Sequence, residues 1–395
     1  MSKAPKLRFK EFSGDWETKK FKDIVKINQG LQIAISDRYT EDGENRLFYI
    51  TNEFLKKESG KKYYIENPPS SVICKESDIL MTRTGNTGQV VTGVSGAFHN
   101  NFFKINYDSN SHNKMFLYYI LTSFKLQKSI IRLAGTSTIP DLNHGDFYNI
   151  RISYPSIEEQ EKIASFISLI DDKISLQGEK VEALKDYKKG MMQKIFSWEL
   201  RFKDDDGRDY PEWEEKKLDD LIKIKSNRNK NSVVELVLSV SNTKGFITQS
   251  EQFEDRIVAS SDISNYKIVE KDDFAFNPAR INVGSIARLK LYDKGIISPM
   301  YICFKCLNSL ESDYLEYFLM THSFDVQMKK KLEGSVRQTL SSEALGEIVI
   351  DLPCLNEQKK IGEYLSTIND KLVKEQEKLD YLNEYKKGLL QQMFV

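Results

Sequence analysis

Thr82-Arg83-Thr84-Gly85-Asn86-Thr87-Gly88 and Asn277-Pro278-Ala279-Arg280-Ile281-Asn282-Val283-Gly284 set arginine, asparagine and hydroxyl side chains on glycine-hinged loops, each directly after an expected strand. Arginine offers a fixed fork of donors and asparagine a donor beside an acceptor, the groups that read nucleobase edges and hold phosphates. A second pair of polar loops, Gly135-Thr136-Ser137-Thr138 and Gly334-Ser335-Val336-Arg337-Gln338, precedes the last expected strand of each half. The candidate contact residues are therefore Arg83, Thr84, Asn86, Thr136 and Thr138, then Arg280, Asn282, Ser335, Arg337 and Gln338. The plain alternative for each loop is a tight hairpin turn that binds nothing.

Patterns that would support covalent or metal chemistry are incomplete. Asn67-Pro68-Pro69-Ser70 is similar to the Asn-Pro-Pro-Tyr tetrapeptide of amino-methyltransferases, but it lacks the aromatic that stacks on a target base, and no glycine-rich cofactor loop precedes it. Glu17-x-Lys19 and Glu214-x-Lys216 match a fragment of nuclease metal sites without a convincing upstream aspartate, so both read as solvated charge in a repeated surface turn. Cys303-Phe304-Lys305-Cys306 has redox or zinc spacing, yet no second cysteine pair exists, and residues three apart on a strand face opposite sides. His99, His112, His144 and His322 are scattered, Asp204-Asp205-Asp206-Gly207 lacks the later ligands of a calcium loop and reads as a solvated linker, and there is no phosphate-binding loop. No catalytic residue and no metal ligand set is expected.

Charge narrows the partners further. Lysine and arginine number 58, aspartate and glutamate also 58. A neutral chain cannot bind nucleic acid by blanket attraction, so affinity must come from a localised surface or from partner chains with their own charge. At 395 residues there is room for two or three domains with separate cores. No apolar run approaches the roughly 18 residues of a membrane span. The start MSKAPKLRFK lacks the apolar core of a signal peptide, and Cys74, Cys303, Cys306 and Cys354 suit a reducing compartment, so a cytoplasmic protein is expected.

The elements that would position these loops are written twice. Glu159 to Phe196 and Glu357 to Phe394 align without a gap at about 17 identities in 38 positions. Leu7-Arg8-Phe9-Lys10 and Trp16 to Ile24 likewise return as Leu200-Arg201-Phe202-Lys203 and Trp213 to Leu221. Each half begins and ends alike while the interior has drifted, which describes a fixed frame holding two variable cassettes. Within the cassettes, strands are expected near 47–50, 78–83, 89–92 and 97–107 with a helix at 114–133, and near 234–240, 273–277, 284–291 and 295–305 with a helix at 310–331.

Both repeated segments carry a heptad seam. Ile163, Ile167, Ile170, Ile174, Val181, Leu184, Met191 and Ile195 match Ile361, Leu365, Ile368, Leu372, Leu379, Leu382, Leu389 and Met393, a pattern that asks for a narrow partner surface and not a broad core. A helix of about 40 residues is roughly 60 Å long. Ser156 and Glu159 have the spacing of a capping box at its start. Gln177 and Lys188 interrupt one seam where Glu375 and Lys386 interrupt the other. Two like helices pair most simply antiparallel; an axis near residues 182 and 380 would put Lys188 against Glu375 and Gln177 against Lys386 as register pins. The competing reading treats these as solvated edges, with Tyr187 and Tyr385 taking over the seam. The resulting division is 1–155, a helix at 156–197, 198–353, and a helix at 354–395.

The Glu-Gln-x-Lys-Ile openings at Glu159 and Glu357, the Tyr-Lys-Lys-Gly closings at 187–190 and 385–388, and the Trp16 and Trp213 starts together resemble the specificity subunits of type I restriction-modification systems over essentially the full length. The resemblance implies an α+β chain with two tandem α/β target recognition domains separated by two long antiparallel coiled-coil helices in an internal pseudo-twofold repeat. It implies a subunit without chemistry of its own that reads a bipartite sequence in double-stranded DNA, one short half-site per domain. Two modification subunits would supply adenine N6-methylation with S-adenosylmethionine, and two restriction subunits ATP- and Mg-dependent translocation and cleavage. The helices would then act as a ruler, the unread gap following their length. A self-contained methyltransferase or nuclease would need the missing motifs, and a pure protein scaffold would show no sequence-selective DNA binding.

Overall fold

Strand alternation is clearest where the first sheet begins: Val25 and Ile27 are buried while Lys26 and Asn28 are exposed, the period-2 signature of a half-buried strand. A computed structural model describes residues 4–56, 61–135, 138–230, 232–248, 262–334 and 338–394. Its first half contains strands β1 (Glu17–Lys20), β2 (Val25–Gln29), β3 (Arg46–Ile50), β4 (Tyr64–Glu66), β5 (Ile73–Cys74), β6 (Ile79–Thr82), β7 (Val90–Val91), β8 (Gly96–Phe98), β9 (Phe102–Tyr107) and β10 (Arg151–Tyr154). Two four-stranded sheets, ordered β2-β9-β6-β7 and β4-β3-β8-β5, accompany the two-stranded pair β1-β10. Only the β3–β8 pairing is parallel among these described ladders. Helices α1 (Lys114–Thr122), α2 (Phe124–Ala134) and α3 (His144–Asn149) precede β10, and the long helix α4 (Ile157–Phe196) follows it.

The second half repeats this plan strand for strand: β11 (Glu214–Lys217), β12 (Ile222–Lys225), β13 (Val237–Ser241), β14 (Gly245–Thr248), β15 (Lys267–Glu270), β16 (Phe274–Phe276), β17 (Ile286–Arg288), β18 (Lys294–Ile297), β19 (Ile302–Cys306) and β20 (Val349–Leu352). The sheet orders β12-β19-β16-β17, β14-β13-β18-β15 and β11-β20 are the same as in the first half. Helices α5 (Ser312–Phe318), α6 (His322–Lys330), α7 (Ser342–Gly346) and the long α8 (Leu355–Met393) complete it. Both β6 (Ile-Leu-Met-Thr) and β16 (Phe-Ala-Phe) are buried on both faces, which explains their unbroken apolar runs.

The expected single helices at 114–133 and 310–331 are each two short ones. Ser123 leaves helical geometry at ψ 143° and its hydroxyl donates to the Ile120 carbonyl, while the Thr321 side chain caps α6 by accepting from Phe324 N. The expected strand 97–107 is likewise broken by a turn at His99–Asn101, and 295–305 by one at Ser298–Tyr301. Glu17-x-Lys19 and Glu214-x-Lys216 lie not in a turn but on β1 and β11, short charged strands held by pairing with β10 and β20.

The chain divides into two compact units that cut across the linear order: residues 1–179 with 377–395, and residues 180–376. Each unit thus owns the first part of one long helix and the last part of the other. In the second unit the helix segments pair antiparallel, since Lys180 meets Glu375 and the later Lys188 meets the earlier Asn369 at 2.8 Å. In the first unit Lys386 pairs with Asp171, and Leu389 and Met393 join Ile163, Ile167 and Ile170 in one cluster.

Two expectations about these helices are corrected. The register falls nearly a heptad short of the expected one, so Lys188 faces Asn369 and not Glu375, and Lys386 faces Asp171 and not Gln177. The packed cores of the two halves set that register. Lys188 sits over the Tyr317 ring at 5.4 Å and Lys386 over Tyr119 at 5.6 Å, so a domain tyrosine fixes each lysine. Burial holds the Lys188 ammonium below its ordinary pKa. The seam is also not narrow at its start: Ile163 and Ile167 pack with Phe116, Leu117 and Tyr119, and Ile361 and Leu365 with Tyr314, Leu315 and Phe318. Ile174, Leu184, Leu372, Leu379 and Leu382 are half-buried and Val181 fully buried. Tyr187 does not replace Lys188 in the seam; it is half-exposed and bonds the Tyr364 hydroxyl at 2.8 Å. Tyr385 is exposed and stacks on Tyr381.

The capping box is also overturned, for a tertiary reason. The Glu159 carboxylate accepts from Arg8 Nε at 2.7 Å and Nη2 at 2.8 Å, which leaves it committed to the N-terminal arm. Glu357, fully buried, accepts in the same way from Arg201 Nη2 at 2.9 Å and from Trp213 Nε1 at 2.9 Å. Next to them Gln160 accepts from Asn113 N, and Gln358 from Glu311 N, each tying the start of a long helix to the start of α1 or α5. The repeated Glu-Gln pair is therefore a double clasp that closes each half of the frame.

Candidate nucleic-acid interface

In the first unit β6 ends at Thr82 and the chain folds back through a compact loop. Gly88 N donates to the Thr82 carbonyl at 2.8 Å, and the Thr82 hydroxyl bonds the Asn86 carbonyl. Gly88 has φ +92°, the left-handed region that favours glycine, and a Cβ there would lie 2.6 Å from Gln127 Oε1, the end of an α2 side chain that would have to move. The other candidate loop runs into this one: Leu142 N donates to the Arg83 carbonyl at 2.9 Å, and the Thr87 hydroxyl donates to the Pro140 carbonyl at 2.8 Å. Arg83 is paired within the protein, with Nη2 on Asp141 Oδ2 at 2.7 Å and Nε on the Leu142 carbonyl at 3.2 Å. Its guanidinium lies over Phe103, and only the Nη1 edge lacks a partner among the described residues. Thr84 also bonds Asp141, whereas Asn86 and Thr138 are exposed. Thr136 lies outside the described residues.

The second unit brings its two loops together by the same stitch, Leu340 N donating to the Pro278 carbonyl at 3.1 Å. Asn277 is buried and its Oδ1 accepts from Ala279 N, and the turn Ile281–Val283 closes on Gly284 at φ +87°. That geometry buries Ile281 and leaves Arg280 and Asn282 exposed, with no side-chain partner among the described residues. Gln338 is exposed beside the Glu333–Thr339 bridge, and Ser335 and Arg337 lie outside the described residues.

Sequence reading found both loop pairs but missed Asp141, which neutralises the most prominent arginine, and the His99–Asn101 turn, whose Asn101 carbonyl accepts from Arg83 N at 2.7 Å. No sequence spacing announces either contact. His99 in that turn is held neutral, burial and then Arg38 pushing its pKa down to about 4.

Two segments, residues 13–186 and 210–383, match the family described as type I restriction modification DNA specificity domain. The chain belongs to the type I restriction-modification DNA specificity family. It is 26% identical over 409 residues to the type I restriction enzyme MjaVIII specificity subunit of Methanocaldococcus jannaschii, covering 97% of this chain and 94% of that one. The putative MjaX specificity subunit of the same organism is 25% identical over 419 residues, covering 98% and 94%. In fold, this specificity chain is similar to the type I restriction-modification S subunit from M. genitalium, with a TM-score of 0.64 at 18% identity over 99% of both chains. A chain from a study of complex assembly and conformational transition of the type I R-M system matches with a TM-score of 0.52 at 16% identity, over 95% of this chain and 96% of that one.

Within this specificity-family chain the fragments that suggested other chemistry have local explanations. Lys19 pairs with Glu17 and Lys216 with Glu214, at 3.2 and 2.9 Å. The Cys303 and Cys306 thiols on β19 are pushed up to about 11 by burial, the opposite of a reactive thiolate. Asp204 accepts from Arg208 N and from Asp206 N, closing a turn. Among the described residues no group of three His, Cys, Asp or Glu could hold a metal ion, and no helix is long and apolar enough to cross a membrane.

Proposed function

We propose that this chain supplies DNA sequence specificity to a type I restriction-modification complex by reading a bipartite target, one half-site per unit. The observation that carries the reading is that the two units share sheet order and loop stitching but present different side chains on the stitched loops: an ion-paired Arg83 with Asn86 in one, exposed Arg280 and Asn282 in the other. Two half-sites of different sequence require such a pair of surfaces on one frame. The chain itself performs no catalysis and works in the cytoplasm. Two modification subunits bring S-adenosylmethionine chemistry to adenine, and two restriction subunits bring ATP- and Mg-dependent cleavage, the neutral chain relying on them for much of its attraction to DNA. The paired helices space the half-sites, so the unread gap follows their length.

The test combines purified chain, its modification subunit, S-adenosylmethionine and duplex DNA of random sequence. Methylated adenines should fall in one bipartite motif with the complete mixture and be absent with the chain alone. Methylation by the isolated chain, or methylation without a motif, would contradict the proposal.

A further inference from the structure

The end of the first sheet that carries Arg83 also carries a pair of carboxamides. Past β2 the chain turns at Gly30, where Gly30 N donates to the Phe102 carbonyl at 3.2 Å and Leu31 N to the Phe98 carbonyl at 3.1 Å. A Cβ on Gly30 would lie 2.2 Å from the Phe98 carbonyl oxygen, so this backbone-to-backbone approach is obligatory. Asn100 N returns the bond to the Leu31 carbonyl at 3.1 Å, which locks the segment after β2 to the His99–Asn101 turn. On this rigid base the exposed Gln32 is held by its neighbour, Asn100 Nδ2 donating to Gln32 Oε1 at 3.1 Å. Arg83 N bonds the carbonyl of the next residue, Asn101, so the pair adjoins the loop already described.

A glutamine amide has two donors and a carbonyl with two lone pairs. One lone pair is occupied by Asn100, which leaves the other lone pair and the Nε2 donors of this exposed residue without a protein partner among the described residues. Exchanging oxygen and nitrogen on both amides still leaves one donor and one acceptor on Gln32. A donor next to an acceptor in a fixed plane matches adenine in the major groove, where N7 accepts and N6 donates. The buried Asn100 Oδ1 has no protein hydrogen-bond partner among the described residues, so the Asn100 amide is tied to the protein through its bond to Gln32. At the equivalent place the second unit has other chemistry. The turn is Ser298 to Tyr301, and Asn229, three residues past the matching strand position, turns inward, its amide bonding the Val234 carbonyl at 2.9 Å.

Resting on the proposed function, we infer that Gln32 reads an adenine in the half-site of the first unit, with Asn100 as its positioning residue. The experiment maps methylated adenines in a host expressing the whole chain with its modification subunit. Gln32→Ala, at an exposed position that leaves the fold intact, should make one base of one half-site degenerate, discrimination there falling on the order of tenfold to a hundredfold. Gln32→Glu should move the preference at that base from adenine to cytosine, whose N4 donates to a carboxylate. Asn100→Ala should relax the same base more weakly. An unchanged motif with Gln32→Ala, or an even fall in binding to all sequences, overturns the inference while leaving the function standing. A wild-type chain with no motif overturns both.

Discussion

At the scale of single residues, the side chains that hold each half closed are Glu159 with Arg8 and Glu357 with Arg201 and Trp213. The Glu357 side chain has no exposed surface, and removing Arg201 leaves its carboxylate in the core with Trp213 Nε1 as a donor but without the cation that pairs it. Arg201→Ala should therefore cost about 3–5 kcal/mol, read as a lower urea midpoint. A change below about 0.5 kcal/mol, the range of ordinary surface substitutions, would show that the clasp is dispensable. The repeated Glu-Gln pair was visible in the sequence as the most specific mark of the frame, yet its role was not. A capping box is a local reading over three residues, whereas Arg8 reaches Glu159 from another part of the chain.

At the scale of elements, the two long helices and their antiparallel pairing were legible because the heptad repeats in both halves with matched interruptions. Their register was not, because it is set by tyrosines of the recognition domains and not by the seam. Each interrupting lysine meets a polar residue of the facing helix and a tyrosine ring, but with one difference: Lys386 has the carboxylate of Asp171 where Lys188 has the amide of Asn369. Asn369→Asp should add to the compensation that Glu316 already gives the Lys188 ammonium, which burial holds below its usual pKa, and stabilise the second unit by about 1 kcal/mol. A rise in melting temperature that disappears when Lys188→Met is added checks the pairing. A fall would mean that the added carboxylate loses more in desolvation than it gains from the lysine. The candidate loops were legible as polar, glycine-hinged turns after strands; the ion pair that occupies Arg83 was not, since Asp141 comes from a segment 58 residues away.

At the scale of the whole molecule, duplication accounts for most of what the sequence disclosed. Two units of the same topology follow from two copies of one pattern, and the drift between them runs through the interior of each half, core strands included, as Ile-Leu-Met-Thr of β6 against Phe-Ala-Phe of β16 shows. What a linear reading could not give is the composition of each unit, because the long helices contribute their first part to one and their last part to the other. The short strands β1 and β11, charged and half-exposed, were also hidden, since their partners alone make them strands.

The proposed division of labour gives each unit its own half-site. Its most direct test is the map of methylated adenines made by the wild-type chain with its modification subunit, beside that of the double variant Arg280→Ala, Asn282→Ala. One bipartite motif is expected for the wild type, and for the variant a motif relaxed in one half-site with the other half-site and the gap unchanged. Simultaneous change in both half-sites, or an equal loss of methylation at every sequence, would contradict it.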